Sequence, residues 1–208
     1  MPRFACLDAR PDLRSAGPGM LLDLRITVDP GQRVHSLALR TQIRIEPRRR
    51  RYTPAEAEQL VDLFGELPRW GETLHPLQLC TVSTMVTGFA GQTTTEVSVP
   101  LSYDIDVAAT RYLHGLDDGD VPLLLLFSGT VFYAGPEGVQ VGLVSWSEEA
   151  TFRLPVAIWR AAMDAHFPGT AWLRLRRETL DALLAYRSAH AIPSWDDVLH
   201  RLLKDARP

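Results

Sequence analysis

Residues 121–133 read VPLLLLFSGTVFY, an apolar run with a proline near its start and aromatic and β-branched residues towards its end. A short unbroken apolar stretch between turn residues is the pattern of a strand buried on both faces, whereas a half-solvated strand alternates. The run therefore predicts a central strand over 122–133. Asp117-Asp118-Gly119-Asp120 supplies a turn before it, and Gly135-Pro136-Glu137-Gly138 supplies one after it. The second turn hands the chain to an antiparallel neighbour over 139–146.

Upstream, Leu22, Leu24, Ile26 and Val28 alternate with Asp23, Arg25, Thr27 and Asp29, the period-two pattern of a strand with one wet face. After the turn Asp29-Pro30-Gly31, Leu37, Leu39, Ile43 and Ile45 form an inward row, with Ser36, Arg40, Gln42, Arg44 and Glu46 outward. The pair predicts a hairpin. A third strand is expected over 77–86, rich in Thr and Val. From Val97 to Val107 the odd positions Val97, Val99, Leu101, Tyr103, Ile105 and Val107 are apolar and the even ones are polar or proline, and Pro100 marks an edge or a bulge.

Helical spacing appears in two places. Thr53-Pro54-Ala55-Glu56 combines an N-cap, proline at the first helical position and a capping-box glutamate, which predicts one helix over 54–64 with Leu60, Leu63 and Phe64 inward. Beyond Pro155 the period changes for good. Helices are expected over 155–167, 179–189 and 195–203, the last capped by Ser194. Residues 1–19 mix Pro, Gly, Arg and Asp without periodicity and read as an irregular lead-in. The expected fold is α+β and mainly β: an antiparallel β-sandwich or curved sheet over 20–153 with one inserted helix, and a C-terminal helical segment over 154–208 packed on it.

Composition narrows the function classes. The 208 residues are 46% hydrophobic and 23% charged, enough for a real core. A net charge of −3 gives no global field for polyanions, so any such contact must be local. Of 22 basic residues only Lys204 is a lysine. Cys6 and Cys80 lack CxxC spacing, no apolar run approaches the roughly 20 residues of a membrane helix, and the first residues lack a secretory apolar core. A cytoplasmic protein with reduced thiols is expected.

The densest charge is Arg48-Arg49-Arg50-Arg51-Tyr52, at the joint between the predicted strand and the capped helix. In an extended exit Arg48 and Arg50 share one side and Arg49 and Arg51 the other, which does not build a dense phosphate stripe. From Arg40 to Arg51 six arginines stand against one glutamate, and from Glu96 to Asp120 six acids stand against Arg111, so the two segments can offset each other. Arg48, Arg49, Arg50, Arg51 and Tyr52 form the candidate surface for a protein partner, rather than for nucleic acid or membrane. A homo-oligomer is also open.

Other chemistry is sparse. The turn at 117–120 lacks the bidentate glutamate of a calcium loop, and the six histidines show neither HxH nor HExxH spacing. Ser128 lacks the first glycine of a nucleophile elbow, and no glycine group matches a phosphate loop. No catalytic residue, metal or cofactor is assigned. The five tryptophans read as core residues of a sheet-to-helix interface.

The stretches VHSLALRTQIRIEPRRRRYTPAEAEQLVDLFGELPRWGETL (34–74), VPLLLLFSGTVFY (121–133), RLPVAIWRAAMDAHFP (153–168), WLRLRRETLDALLAYR (172–187) and IPSWDDVL (192–199) resemble a mainly actinobacterial family of unknown function. Its genes are associated with nickel-iron hydrogenase clusters, so the resemblance implies an accessory or assembly role. Three function classes follow: a non-enzymatic accessory protein that binds another protein, a chaperone-like or small-ligand-binding sandwich, and an enzyme whose site gathers distant residues such as Ser102, Asp104 and His114.

Overall fold

The computed structural model describes residues 1–104, 106–135, 138–166 and 168–206. The predicted central strand is strand β6 (Asp120–Gly135), which pairs along one side with β3 (Arg33–Ile45). Along its other side it pairs in succession with β8 (Glu149–Pro155) and β7 (Gly138–Leu143). With β4 (Leu77–Ala90) beyond β3, these make a five-stranded antiparallel sheet. A three-stranded sheet of β1 (Arg3–Pro11), β2 (Gly19–Thr27) and β5 (Gln92–Pro100) provides the second layer. The expected mainly β, antiparallel architecture with helices packed on the sheets is what the chain forms.

Burial on β6 is one-sided, contrary to the doubly buried strand expected. Val121, Leu123, Leu125, Phe127 and Val131 are buried, whereas on the other face Pro122 is buried but Leu124, Leu126 and Phe132 are only half-buried. Its central position comes from pairing on both edges. The β3 crossing needs Gly129, whose φ is +151° and where a Cβ would sit 2.1 Å from the Ala38 carbonyl oxygen. No other residue fits there unstrained.

Three expectations are corrected. Residues 1–19 are not an irregular lead-in, because Arg3–Pro11 forms β1 on β2. A register shift between Cys6 and Asp8 breaks the alternation, so buried Phe4 and Ala9 fall out of phase and the period disappears from the sequence. Phe4 is anchored across the sandwich, its ring stacked on Phe127 at 4.3 Å. Second, β2 and β3 are not a hairpin but belong to opposite sheets. A buried row on each strand serves a crossover as well as a hairpin, so alternation could not separate them. Third, the strand over 97–107 stops at Pro100, and Leu101 N–H donates instead to Pro18 O at 2.9 Å. Tyr103 still points inward, its hydroxyl donating to Met163 O at 2.9 Å, and Ile105 lies outside the described residues. An unread helix α4 (Ala108–His114) follows; it buries Ala109, Tyr112 and Leu113.

The inserted helix starts where its capping box places it. It divides at Leu60 into α1 (Pro54–Gln59) and α2 (Val61–Phe64), and a one-turn α3 (Trp70–Thr73) follows. Leu60 and Phe64 are buried as expected, while Leu63 is half-buried. Helix α5 (Val156–Asp164) buries Val156, Trp159, Ala162 and Met163 and packs against β1, β2 and β8; the last residue of its predicted span, Phe167, lies outside the described residues. The chain divides into compact units at Met1–Trp172 and Leu173–Pro208, so α5 groups with the sheets. The second unit holds α6 (Arg177–Ala189) and α7 (Trp195–Asp205), packed on each other, with Ser194 Oγ accepting from Asp197 N–H at 3.1 Å as the predicted cap. Only Trp70 and Trp159 of the five tryptophans are core residues; Trp146 is 92% exposed. Of the turn at 135–138, Pro136 and Glu137 lie outside the described residues.

Candidate functional site

The arginine run leaves β3 through a single 3₁₀ turn, Pro47–Arg49, that begins on a buried proline. The turn replaces the extended exit, so the four guanidinium groups do not alternate. Arg50 alone turns inward, with 8% of its side chain exposed. Its Nη1 donates to Asp120 O at 2.8 Å and its Nη2 to Asp118 O and to Glu56 Oε1. The acidic turn thus offsets the arginine, though through two carbonyl oxygens rather than its carboxylates.

Glu56 completes the knot. Its side chain is 2% exposed; Oε2 accepts from Thr53 N–H at 2.9 Å and Oε1 from Asp117 N–H at 3.1 Å. Burial alone pushes this carboxyl up, but the two backbone N–H groups and the Arg50 guanidinium outweigh it and hold its pKa below the usual value. A buried ion pair of this kind adds little net stability compared with an apolar pair, but loss of one partner costs about 3–5 kcal/mol because the other is left charged and dry. Its structural effect is to bind the β3–α1 joint to the turn that starts β6.

Tyr52 is part of the same cluster and not of an open surface. Its hydroxyl lies 2.8 Å from Pro47 O and 2.9 Å from the Tyr112 hydroxyl, and Trp70 meets its ring edge-on at 5.0 Å. The Arg50 guanidinium sits over the same ring at 5.8 Å. Burial pushes the Tyr52 and Tyr112 hydroxyls up, so both stay protonated. Of the five residues expected as a partner surface, Arg50 and Tyr52 are internal braces.

Arg48, Arg49 and Arg51 are exposed, and Arg48 donates to Gly71 O. Arg49 and Arg51 join Arg153 of β8 around an open cleft of about 510 Å³ beside Asp117, Asp118 and Asp120. Among the described residues none of these three arginines forms an ion pair with a carboxylate. Four arginines and four carboxylates line the cleft, so it has no net charge to hold a polyanion. Arg153 was not picked out from the sequence, because its place depends on β8 pairing with β6 through Pro122.

The residues suggested for a dispersed enzyme site are engaged in other contacts. Ser102 Oγ accepts from Asp104 N–H at 3.0 Å and Asp104 Oδ1 accepts from Asp106 N–H at 3.0 Å, both local turns. His114 instead meets the Trp159 ring at 4.9 Å, and burial beside Arg111 and Arg160 lowers its pKa. Burial pushes the Cys6 thiol up to about 12 and the Cys80 thiol to about 11, which leaves both poor nucleophiles. Among the described residues no group of three His, Cys, Asp or Glu side chains is placed to hold a metal, and no helix is long and apolar enough to cross a membrane.

Comparison with known proteins gives one clear relationship. A family model described as "Family of unknown function (DUF6084)" matches residues 1–208, and the chain belongs to that family. No curated protein matches. Among solved structures, the chain is similar to a late embryogenesis abundant (LEA) protein solved in solution, with 15% identity, a TM-score of 0.32, and coverage of 74% of this chain and 72% of that one. It is also similar to β-glucosidase 3B from Thermotoga neapolitana in complex with α-D-glucose, with 12% identity, a TM-score of 0.27, and coverage of 74% of this chain and 17% of that one.

Proposed function

We propose that this member of the DUF6084 family is a non-enzymatic accessory or assembly protein, and that it binds a protein partner through the arginine face of Arg49, Arg51 and Arg153. The supporting observation is the buried Arg50–Glu56 pair, which fixes the backbone that presents Arg49 and Arg51. A side chain held on a fixed backbone loses less freedom on binding, and guanidinium forks suit carboxylate recognition at protein interfaces. Mixed charge around the cleft favours a folded partner with complementary charges of both signs. The finer reading, assembly of a nickel-iron hydrogenase, rests on the family resemblance.

The test is a tagged pull-down at native expression, wild type beside the triple variant R49Q/R51Q/R153Q. A specific partner is expected with wild type, and the triple variant, still folded because all three side chains are exposed, should retain at most about a tenth of it. Equal recovery with both proteins, or no partner from wild type, would overturn the reading.

A further inference from the structure

The strand β7 ends the five-stranded sheet, and no described strand pairs with its far side. Its sequence, Gly138-Val139-Gln140-Val141-Gly142-Leu143, holds no charged residue and no proline, the two features that usually keep an edge from pairing. The other edges differ. β8 carries Glu149 and Arg153, β5 carries Glu96 and Pro100, and β1 carries Arg3, Asp8, Arg10 and an irregular register. β4 is uncharged too, but it lies against β5 of the opposite sheet.

The direction of the β7 backbone follows from one hydrogen bond. Val144 N–H donates to Gly129 O at 2.9 Å, one step beyond the regular pairing of Leu143 with Thr130. Antiparallel residues turn both backbone groups alternately towards and away from a neighbour. Gln140 and Gly142 therefore turn theirs towards β6, and Val139, Val141 and Leu143 turn theirs to the open edge. The same three residues carry the exposed side chains, at 59%, 65% and 71%. They continue an apolar strip across the sheet, since Val141 pairs with half-buried Phe132, and Leu143 shares a row with Thr130, Ala38 and the 66% exposed Met85.

We infer that β7 is a homodimerisation edge, and that two copies of the chain pair β7 to β7 antiparallel about a two-fold axis through Val141. This register alone engages all three open residues: Val141 opposes Val141 of the second copy, and Val139 and Leu143 oppose each other twice. Each such pair exchanges N–H and C=O in both directions. Every exposed apolar side chain then meets another, and Gln140 falls opposite Gly142, which leaves it room. The absence of charge in β7 permits self-pairing, because a two-fold axis would set any charge near its own copy. A closed two-fold contact also stops at two copies. The result is one sheet of ten strands with an apolar band across its middle.

The test is sedimentation velocity and light scattering of the full chain over a concentration series. Wild type should approach twice 23.2 kDa as concentration rises. Val141→Glu and Val141→Lys, each putting like charges face to face on the axis, should each give a monomer with an unchanged circular dichroism spectrum. Mixing the two variants should restore the doubled mass, because Glu and Lys then oppose each other. A wild-type monomer up to its solubility limit, a dimer indifferent to Val141→Glu, or a mixture that stays monomeric would each overturn the inference.

Discussion

Four adjacent arginines with the same chemistry fall into three environments, and mutation should sort them. Arg50→Gln leaves Glu56 buried and charged without its partner, so it should lower unfolding free energy in urea by about 3–5 kcal/mol. Arg49→Gln and Arg51→Gln, on exposed side chains, should stay within about 0.5 kcal/mol of wild type. The pH dependence has a definite sign. The Glu56 carboxyl sits below its ordinary 4.5, so the folded state binds its proton more weakly than the unfolded chain. That stabilisation is complete above about pH 4.5 and is lost as pH falls through the lower folded value. Acid titration of Glu56→Gln should show lower stability at neutral pH and a flatter decline below pH 4.5 than wild type. Part of this was legible in the sequence: the capping box at Thr53–Glu56 was visible as spelled. Which arginine turns inward was not, because that depends on carbonyl oxygens of Asp118 and Asp120, 68 and 70 residues away in the chain.

At the scale of elements, strands whose inward row stayed in phase were readable, and β3 and β6 appear close to their predicted positions. Bulges and crossovers were not. The shift at Cys6/Asp8 hides β1, and the same alternation that marked β2 and β3 could not say that they lie in different layers. The inward positions Leu101 and Tyr103 prolong a strand pattern past its real end at Pro100, which conceals α4. The close approach of β3 to β6 at Gly129 gives a sharp expectation. Gly129→Ala places a methyl group 2.1 Å from Ala38 O, so β3 and β6 must separate locally, with a loss of more than about 2 kcal/mol read as a lower melting temperature. Ser128→Ala, one residue away and exposed, should melt like wild type.

For the whole molecule, layer architecture was legible because two sheets and their helices leave coarse periodicities. Function was less so, since the candidate surface is assembled from three distant pieces of chain: the joint at 49–56, the turn at 117–120 and Arg153. The strand order has a further consequence, in time. Neighbouring strands β1 and β2 can zip as soon as they are made and β3 next finds β4, but the second edge of β3 waits for β6, pairing Ile45 with Leu123 and Val34 with Tyr133. Closing such long loops before any contact rewards them makes folding slow, in the millisecond-to-second range of sandwiches. A ribosome making about 5–20 residues per second would therefore leave that second edge of β3 unpaired for several seconds before β6 emerges. In that interval β3 has β4 along one edge and an open second edge.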